Sequence, residues 1–254
     1  MRIIISPAKK MKADTDTLPW KDLPCFLEQA ETLYSKLQGM SRQELQALWQ
    51  CSDALTARNA RQLESTPGLR TGLTPALLAY QGIQYQYMAP GVFTDGEFAY
   101  VQEHLRILSG LYGVLRPLDG VVPYRLEMQA RLETESGKDL YSYWGGLLAD
   151  QLYRETDCVV NLASKEYSLC VSRHQKPGTQ LITCVFGEEL RGKVVEKGTL
   201  CKMARGEMVR YLAQIRGEEP EALRGFDRLH YTFSPEHSDE TTYVFLRQGG
   251  AKEP

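Results

Sequence analysis

Apolar positions change period along the chain, and each change marks an element. Arg2 to Ser6 is a short β-branched run closed by Pro7, the pattern of a buried strand. Over 22–38, Leu23, Phe26, Leu27, Ala30, Leu33, Tyr34 and Leu37 recur at helical spacing, with Asp22 as the cap and Gly39 as the stop. Ser41 and Glu44 form a capping box for a second helix with Leu45, Leu48 and Trp49 inward. A third helix covers 53–65 and breaks at Pro67-Gly68, and Thr74-Pro75 opens a short one ending near Gly82. A capping box at Thr94 and Glu97 then opens a helix carrying Phe98, Val101, Leu105 and Leu108 on one face, which runs into Ser109-Gly110.

Helical spacing returns over 139–153, with Asp139 near its start. Cys158–Leu162 and Leu181–Phe186 read as buried strands, and Gly192 to Thr199 pairs with the second across a Glu188–Arg191 turn. Lys202 to Ile215 is a helix stopped by Gly217, and Leu229–Phe233 and Tyr243–Leu246 are β-rich runs near the C-terminus. No internal repeat or low-complexity linker interrupts the order. The expectation is one α/β domain (α+β being the alternative) over residues 1–254: a mixed sheet flanked by helices, a helical N-terminal layer and a central basic cleft.

Composition narrows the functional classes only slightly. The chain has 254 residues, 43% hydrophobic and 24% charged, enough for a real core, and a net charge of −2 gives no global pull toward polyanions. A polyanion site must therefore be a local concentration of Lys and Arg. The apolar runs are too short for a signal peptide or a membrane span, so a cytoplasmic location is expected, with no membrane partner. The cysteines at 25, 51, 158, 170, 184 and 201 are at least 12 residues apart, and the four histidines are dispersed. That spacing predicts reduced, packed thiols and no metal site.

The run from Leu105 to Trp144 breaks every period and concentrates Gly, Pro and charge, the composition of a site. Arg116-Pro117-Leu118-Asp119 and Pro123-Tyr124-Arg125-Leu126-Glu127 each set a guanidinium near an acid, and Lys138-Asp139 adds a third couple. Ser109 to Gly113 links a helix to a further short helical turn, a connection whose free N–H groups could hold phosphate. Two strand ends carry a serine and a lysine within a few residues: Ser6 with Lys9, and Ser164 with Lys165. Lys202 and Arg205 share one side of the last helix. Convergence of these cations would favour a phosphate-bearing ligand. The acids Asp119, Glu127, Asp139 and Glu166 keep acid–base catalysis open, although no Walker loop, G-x-G-x-x-G, G-x-S-x-G or zincin motif is present and no catalytic residue is singled out.

Together IIISPAK, the Leu105–Trp144 run, VVNLASKEY at 159–167 and KMARGEMVRYL at 202–212 resemble the signature of the YaaA family of bacterial peroxide-stress resistance proteins. The resemblance implies a single-domain α/β fold with a basic cleft, sequence-independent DNA-backbone binding, and limitation of unincorporated iron and oxidative damage. No cofactor is expected. Carried over by motif, Ser6, Lys9, Arg116, Arg125, Lys138, Lys202 and Arg205 are the DNA- or anion-binding set, to which the strand-end position adds Lys165, and Asp119, Tyr124, Glu127, Asp139, Ser164 and Glu166 are their polar partners. A nucleotide-like small molecule, bound or transformed in the same cleft, is the alternative partner. The family's helix-hairpin-helix-like element falls on the helix pair near residues 52–60, which has no glycine, or on the Ser109–Gly113 connection.

Overall fold

The N-terminal run becomes the middle of the main sheet. The structure, a computed structural model, describes residues 1–248. In chain order its first half comprises β1 (Arg2–Ile5), β2 (Lys10–Met11), α1 (Leu27–Gln38), α2 (Arg42–Trp49), α3 (Asp53–Ser65), β3 (Thr74–Pro75), α4 (Ala76–Ala79), β4 (Tyr80–Gln81), α5 (Ile83–Met88) and α6 (Asp95–His104). There follow β5 (Leu105–Ser109), β6 (Gly113–Leu115), β7 (Gly120–Val121), α7 (Leu140–Trp144), α8 (Leu147–Glu155), β8 (Cys158–Leu162) and α9 (Lys165–Ser172). The last part holds β9 (Gln180–Leu190), β10 (Lys193–Val195), α10 (Gly198–Ile215), β11 (Tyr231–Phe233) and β12 (Thr242–Arg247), with short 3-10 turns between.

The main sheet runs β11-β12-β9-β8-β1-β5-β6, with β10 paired to β9. Its five inner strands are parallel, and the antiparallel partners β11, β6 and β10 lie outside them. Inner parallel strands are covered on both faces, which explains why Ile3, Ile4 and Ile5 and the whole of β8 are buried. Register is direct: Ile5 of β1 pairs with Leu162 of β8 and with Ile107 of β5. This is the mixed α/β arrangement expected from the pattern.

The boundaries differ in instructive places. Leu105 and Leu108 are strand residues, because α6 ends at His104 and the chain turns straight into β5, every residue of which is buried. A short run whose apolar residues are Leu105, Ile107 and Leu108 fits either period, and pairing with β1 decides it. Ser109 to Gly113 is consequently the turn of an antiparallel hairpin, not a link between helical segments. Ser109 Oγ accepts the Tyr112 amide at 2.9 Å, and Gly113 takes φ +72. Asp22 does not cap α1, which starts at Leu27 after Pro24; its backbone instead bridges Asp119. The helix expected over 139–153 is two helices parted at Gly145-Gly146, where Gly145 has φ +45. The β9–β10 turn sits at Arg191-Gly192, later than expected, because both residues adopt the left-handed conformation that a tight hairpin needs.

Candidate functional site

The order of strands picks out one end of the sheet. From β1 the chain goes first to β5 on one side, and only later adds β8 on the other. That reversal leaves a crevice beyond the carboxyl ends of β1 and β8, the usual ligand position in open α/β sheets. Ser6 follows β1 and Ser164 follows β8. The Ser164 N–H donates to Ser6 Oγ at 2.8 Å, and the Ser6 hydroxyl donates to Ser164 Oγ at 3.2 Å. The Tyr85 hydroxyl donates to the Ser6 carbonyl at 3.0 Å. Over this stitched seam lies a cavity of about 520 Å³.

Three further segments wall it. The 124–127 segment leaves the hairpin region carrying Tyr124, Arg125 and Glu127, and Lys9 and Lys10 come from the loop after β1 and from β2. From α10 come Lys202 and Arg205. A side chain at position 206 would overlap the Gln84 carbonyl, so Gly206 lets α10 press against α5 and brings its two cations to the rim. Glu127 is the electrostatic hub: its Oε1 is 2.9 Å from Arg125 Nη2 and 3.3 Å from Lys9 Nζ. Glu166 accepts the Gln129 amide at 3.3 Å, and burial, reinforced by the Glu127 charge and opposed by Lys9, raises its pKa. The Tyr124 hydroxyl lies 2.6 Å from Ser109 Oγ and 2.8 Å from the Tyr80 hydroxyl. Burial pushes that phenol up to about 12, so it stays protonated at neutral pH. The Nε groups of Arg125 and Arg205 are buried without an acceptor among the described residues.

Nine of the residues singled out in the sequence therefore line one cavity: Ser6, Lys9, Tyr124, Arg125, Glu127, Ser164, Glu166, Lys202 and Arg205. Five others lie elsewhere. Arg116 and Asp119 line a separate cavity of about 240 Å³ with Cys25, Arg106 and Glu155. They form no guanidinium–carboxylate pair: the Asp119 carboxylate accepts the Arg116 backbone N–H at 2.8 Å, closing a turn. Burial pushes the Asp119 carboxyl up to about 7. Lys138 is exposed, and Asp139 caps α7 by accepting the Ser142 amide at 2.8 Å, so that couple is helix-start chemistry. Lys165 is exposed at the first position of α9, outside the residues lining the cavity.

The phosphate-binding reading of Ser109–Gly113 is corrected on the same geometry. All five residues are buried, and a side chain at Gly110 would overlap the Leu126 carbonyl; these glycines serve close packing. The other candidate hairpin, between α2 and α3, turns through Gln50 to Ser52, with Gln50 in the left-handed conformation. Gln81, Gln84 and Tyr85 also line the cavity and were not marked by sequence. Their only trace is the mixed polar and aromatic stretch at Tyr85–Met88, whose buried and exposed sides do not separate by period.

Among the described residues, no group of three or more His, Cys, Asp or Glu side chains converges as a metal site would require. No helix among them is long and apolar enough to cross a membrane. All six cysteines are free thiols, and Cys158, Cys170, Cys184 and Cys201 are buried.

Comparison with known proteins bears on the family. A family model described as "Peroxide stress protein YaaA" matches residues 1–237. A protein called "UPF0246 protein" from Lachnoclostridium phytofermentans is 51% identical over 247 residues, covering 97% of this chain and 96% of that one. Proteins of the same description from Agathobacter rectalis and Pediococcus pentosaceus are 48% and 46% identical, over 98% and 97% of this chain and 99% and 98% of theirs.

Proposed function

The chain belongs to the peroxide stress protein YaaA family, and on that footing we propose that its main cavity receives a phosphate-bearing, nucleotide-like ligand in the cytoplasm. One observation carries the reading: Lys9, Lys10, Arg125, Lys202 and Arg205 converge with Glu127 and Glu166 on one cavity at the sheet's switch point. Its volume, about 520 Å³, suits a small ligand better than a long open groove would. Cations alone would favour any polyanion. Two carboxylates beside them, buried Glu127 and half-buried Glu166, favour a ligand that also offers hydrogen-bond donors, such as the amine edge of a base. Glu166, with its raised pKa, supplies a group able to give up or take a proton near that ligand.

A thermal-shift screen of the full chain against nucleosides, nucleotides and phosphorylated metabolites tests the reading. Stabilisation by a nucleotide, lost in Lys202→Ala, is the expected result; no response across the panel would sink it.

DNA-backbone binding is the second reading, favoured by the same five cations. It requires affinity for duplex DNA that falls steeply with salt, with a shallower slope in Lys202→Ala. An absence of any salt-sensitive shift of labelled duplex at low ionic strength would remove it. In the first reading, limitation of unincorporated iron and of oxidative damage depends on the ligand bound beside Glu166. Cells carrying Glu166→Gln at normal protein level should then lose peroxide resistance.

A further inference from the structure

Beside the main cavity lies a second, of about 240 Å³, between the helical layer and the 123–125 segment. The two share Lys9, Lys10, Tyr124 and Arg125 among their lining residues, so they lie side by side along these side chains. Trp49 at the end of α2, and Arg58, Asn59 and Gln62 on α3, supply its far wall.

The chambers differ in kind. Glu127 and Glu166 line the larger one, whereas no carboxylate is among the residues lining the smaller one. Three side chains of the smaller chamber hold buried N–H groups with no acceptor among the described residues: Trp49 Nε1, Asn59 Nδ2 and Arg125 Nε. Trp49 is only 4% exposed, so its indole N–H cannot turn to bulk water. Such groups are expensive to bury unmet. The cations complete the picture: Lys10 and Arg58 make no ion pair among the described residues, while Lys9 and Arg125 share the single carboxylate of Glu127. Side chains that carry unmet N–H donors and unspent positive charge, with no carboxylate among them, favour a group made of acceptors. Among small-molecule groups, a tetrahedral oxyanion with several charged oxygens fits best.

We infer that the smaller chamber is a phosphate subsite, in which Trp49, Arg58, Asn59 and Arg125 hold the terminal phosphate of a ligand whose remainder lies in the larger chamber. The ligand's identity rests on the nucleotide-like reading given above; the subsite itself does not.

The test titrates the full-length protein with inorganic pyrophosphate, a nucleoside diphosphate and the matching nucleoside, by calorimetry and tryptophan emission. Pyrophosphate is expected to bind and to produce a change in emission that is lost in Trp49→Phe and kept in Trp20→Phe, at a 43% exposed position. Arg58→Ala, at an exposed position on α3, and Asn59→Ala should each weaken pyrophosphate and the diphosphate about tenfold or more, the loss expected for one charge-assisted contact, and leave the nucleoside within about twofold. Lys202→Ala, confined to the larger chamber, should weaken the nucleoside and leave pyrophosphate unchanged. Failure of pyrophosphate to bind, or binding indifferent to both Arg58→Ala and Asn59→Ala, overturns the subsite. Pyrophosphate binding with that variant pattern but no nucleoside binding upholds the subsite and overturns the nucleotide-like reading.

Discussion

Two short motifs eight residues apart, Arg116-Pro-Leu-Asp119 and Tyr124-Arg-Leu-Glu127, look alike in sequence and are used differently. Both set an arginine two or three residues before an acid. In the first, the acid turns inward, accepts a backbone amide at 2.8 Å and leaves the arginine exposed. In the second, Arg125 and Glu127 pair side chain to side chain at 2.9 Å, add Lys9 at 3.3 Å, and face the cavity. The contrast shows that an Arg–acid pair in a non-periodic run is ambiguous until the backbone is known. A carboxylate with a backbone donor within reach builds a turn. One whose nearest donors are side-chain cations builds a site.

Removing the two arginines in turn tests this contrast most severely. Arg125→Ala strands Glu127, 8% exposed, with Lys9 as its remaining ion-pair partner. Stability should fall by about 3 kcal/mol, the lower end for opening a buried pair, because Lys9 stays. Ligand binding in the cavity should fall with it. Chemical denaturation and calorimetry check both; an intact affinity would mean that the second motif, like the first, is only structural.

Asp119 provides the next effect, and its sign follows from burial. Its carboxyl is raised from the ordinary 3.8 to about 7, so the folded chain holds a proton that the unfolded chain releases. The stability from that proton is fully present below about pH 4 and is lost as pH rises through about 7. Asp119→Asn keeps an acceptor for the Arg116 amide and removes the titration. Relative to wild type it should gain nothing near pH 4 and on the order of 2–4 kcal/mol above pH 7. Denaturation midpoints of both proteins across that range read the difference directly; parallel curves would mean that Asp119 is charged in the fold.

How much of this was legible follows the same division. The parallel core was readable because Ile3–Ile5 is an unbroken apolar run and Cys158–Leu162 is apolar but for Asn161, the composition inner strands need. The serines after those runs were readable for the same reason, since a strand end is where a buried run meets Ser or Lys. β5 was not, because Leu105 and Leu108 also fit the helical face of the residues before them and only pairing with β1 separates the two. Lys138 and Lys165 were misplaced because position beside a helix start gives no direction to a long exposed side chain. The second chamber was invisible: Trp49 and Leu45 share one buried face of α2, and nothing in the period marks an indole N–H left without an acceptor.

The glycines of the signature give a smaller effect that bears on both motifs. Gly110 admits the Leu126 carbonyl beside β5 and so fixes where the 124–127 segment runs, while Gly206 seats α10 on Gln84. Alanine at either position pushes backbone against backbone, and stability should fall by about 1–3 kcal/mol. Gly206→Ala should also weaken ligand binding, since it shifts Lys202 and Arg205. A variant that loses stability without losing affinity would separate α10 from the site.

The smallest expected effect is the most discriminating. Arg116→Ala and Lys138→Ala alter exposed cations outside the main cavity, and each should change stability by less than about 0.5 kcal/mol. Neither should change affinity for a small phosphate ligand. A shallower salt slope for duplex DNA in Arg116→Ala, with small-ligand affinity intact, would instead mean that DNA runs past the cavity along the face carrying the first motif. The two motifs would then divide the work, one gripping a strand outside and the other holding what enters.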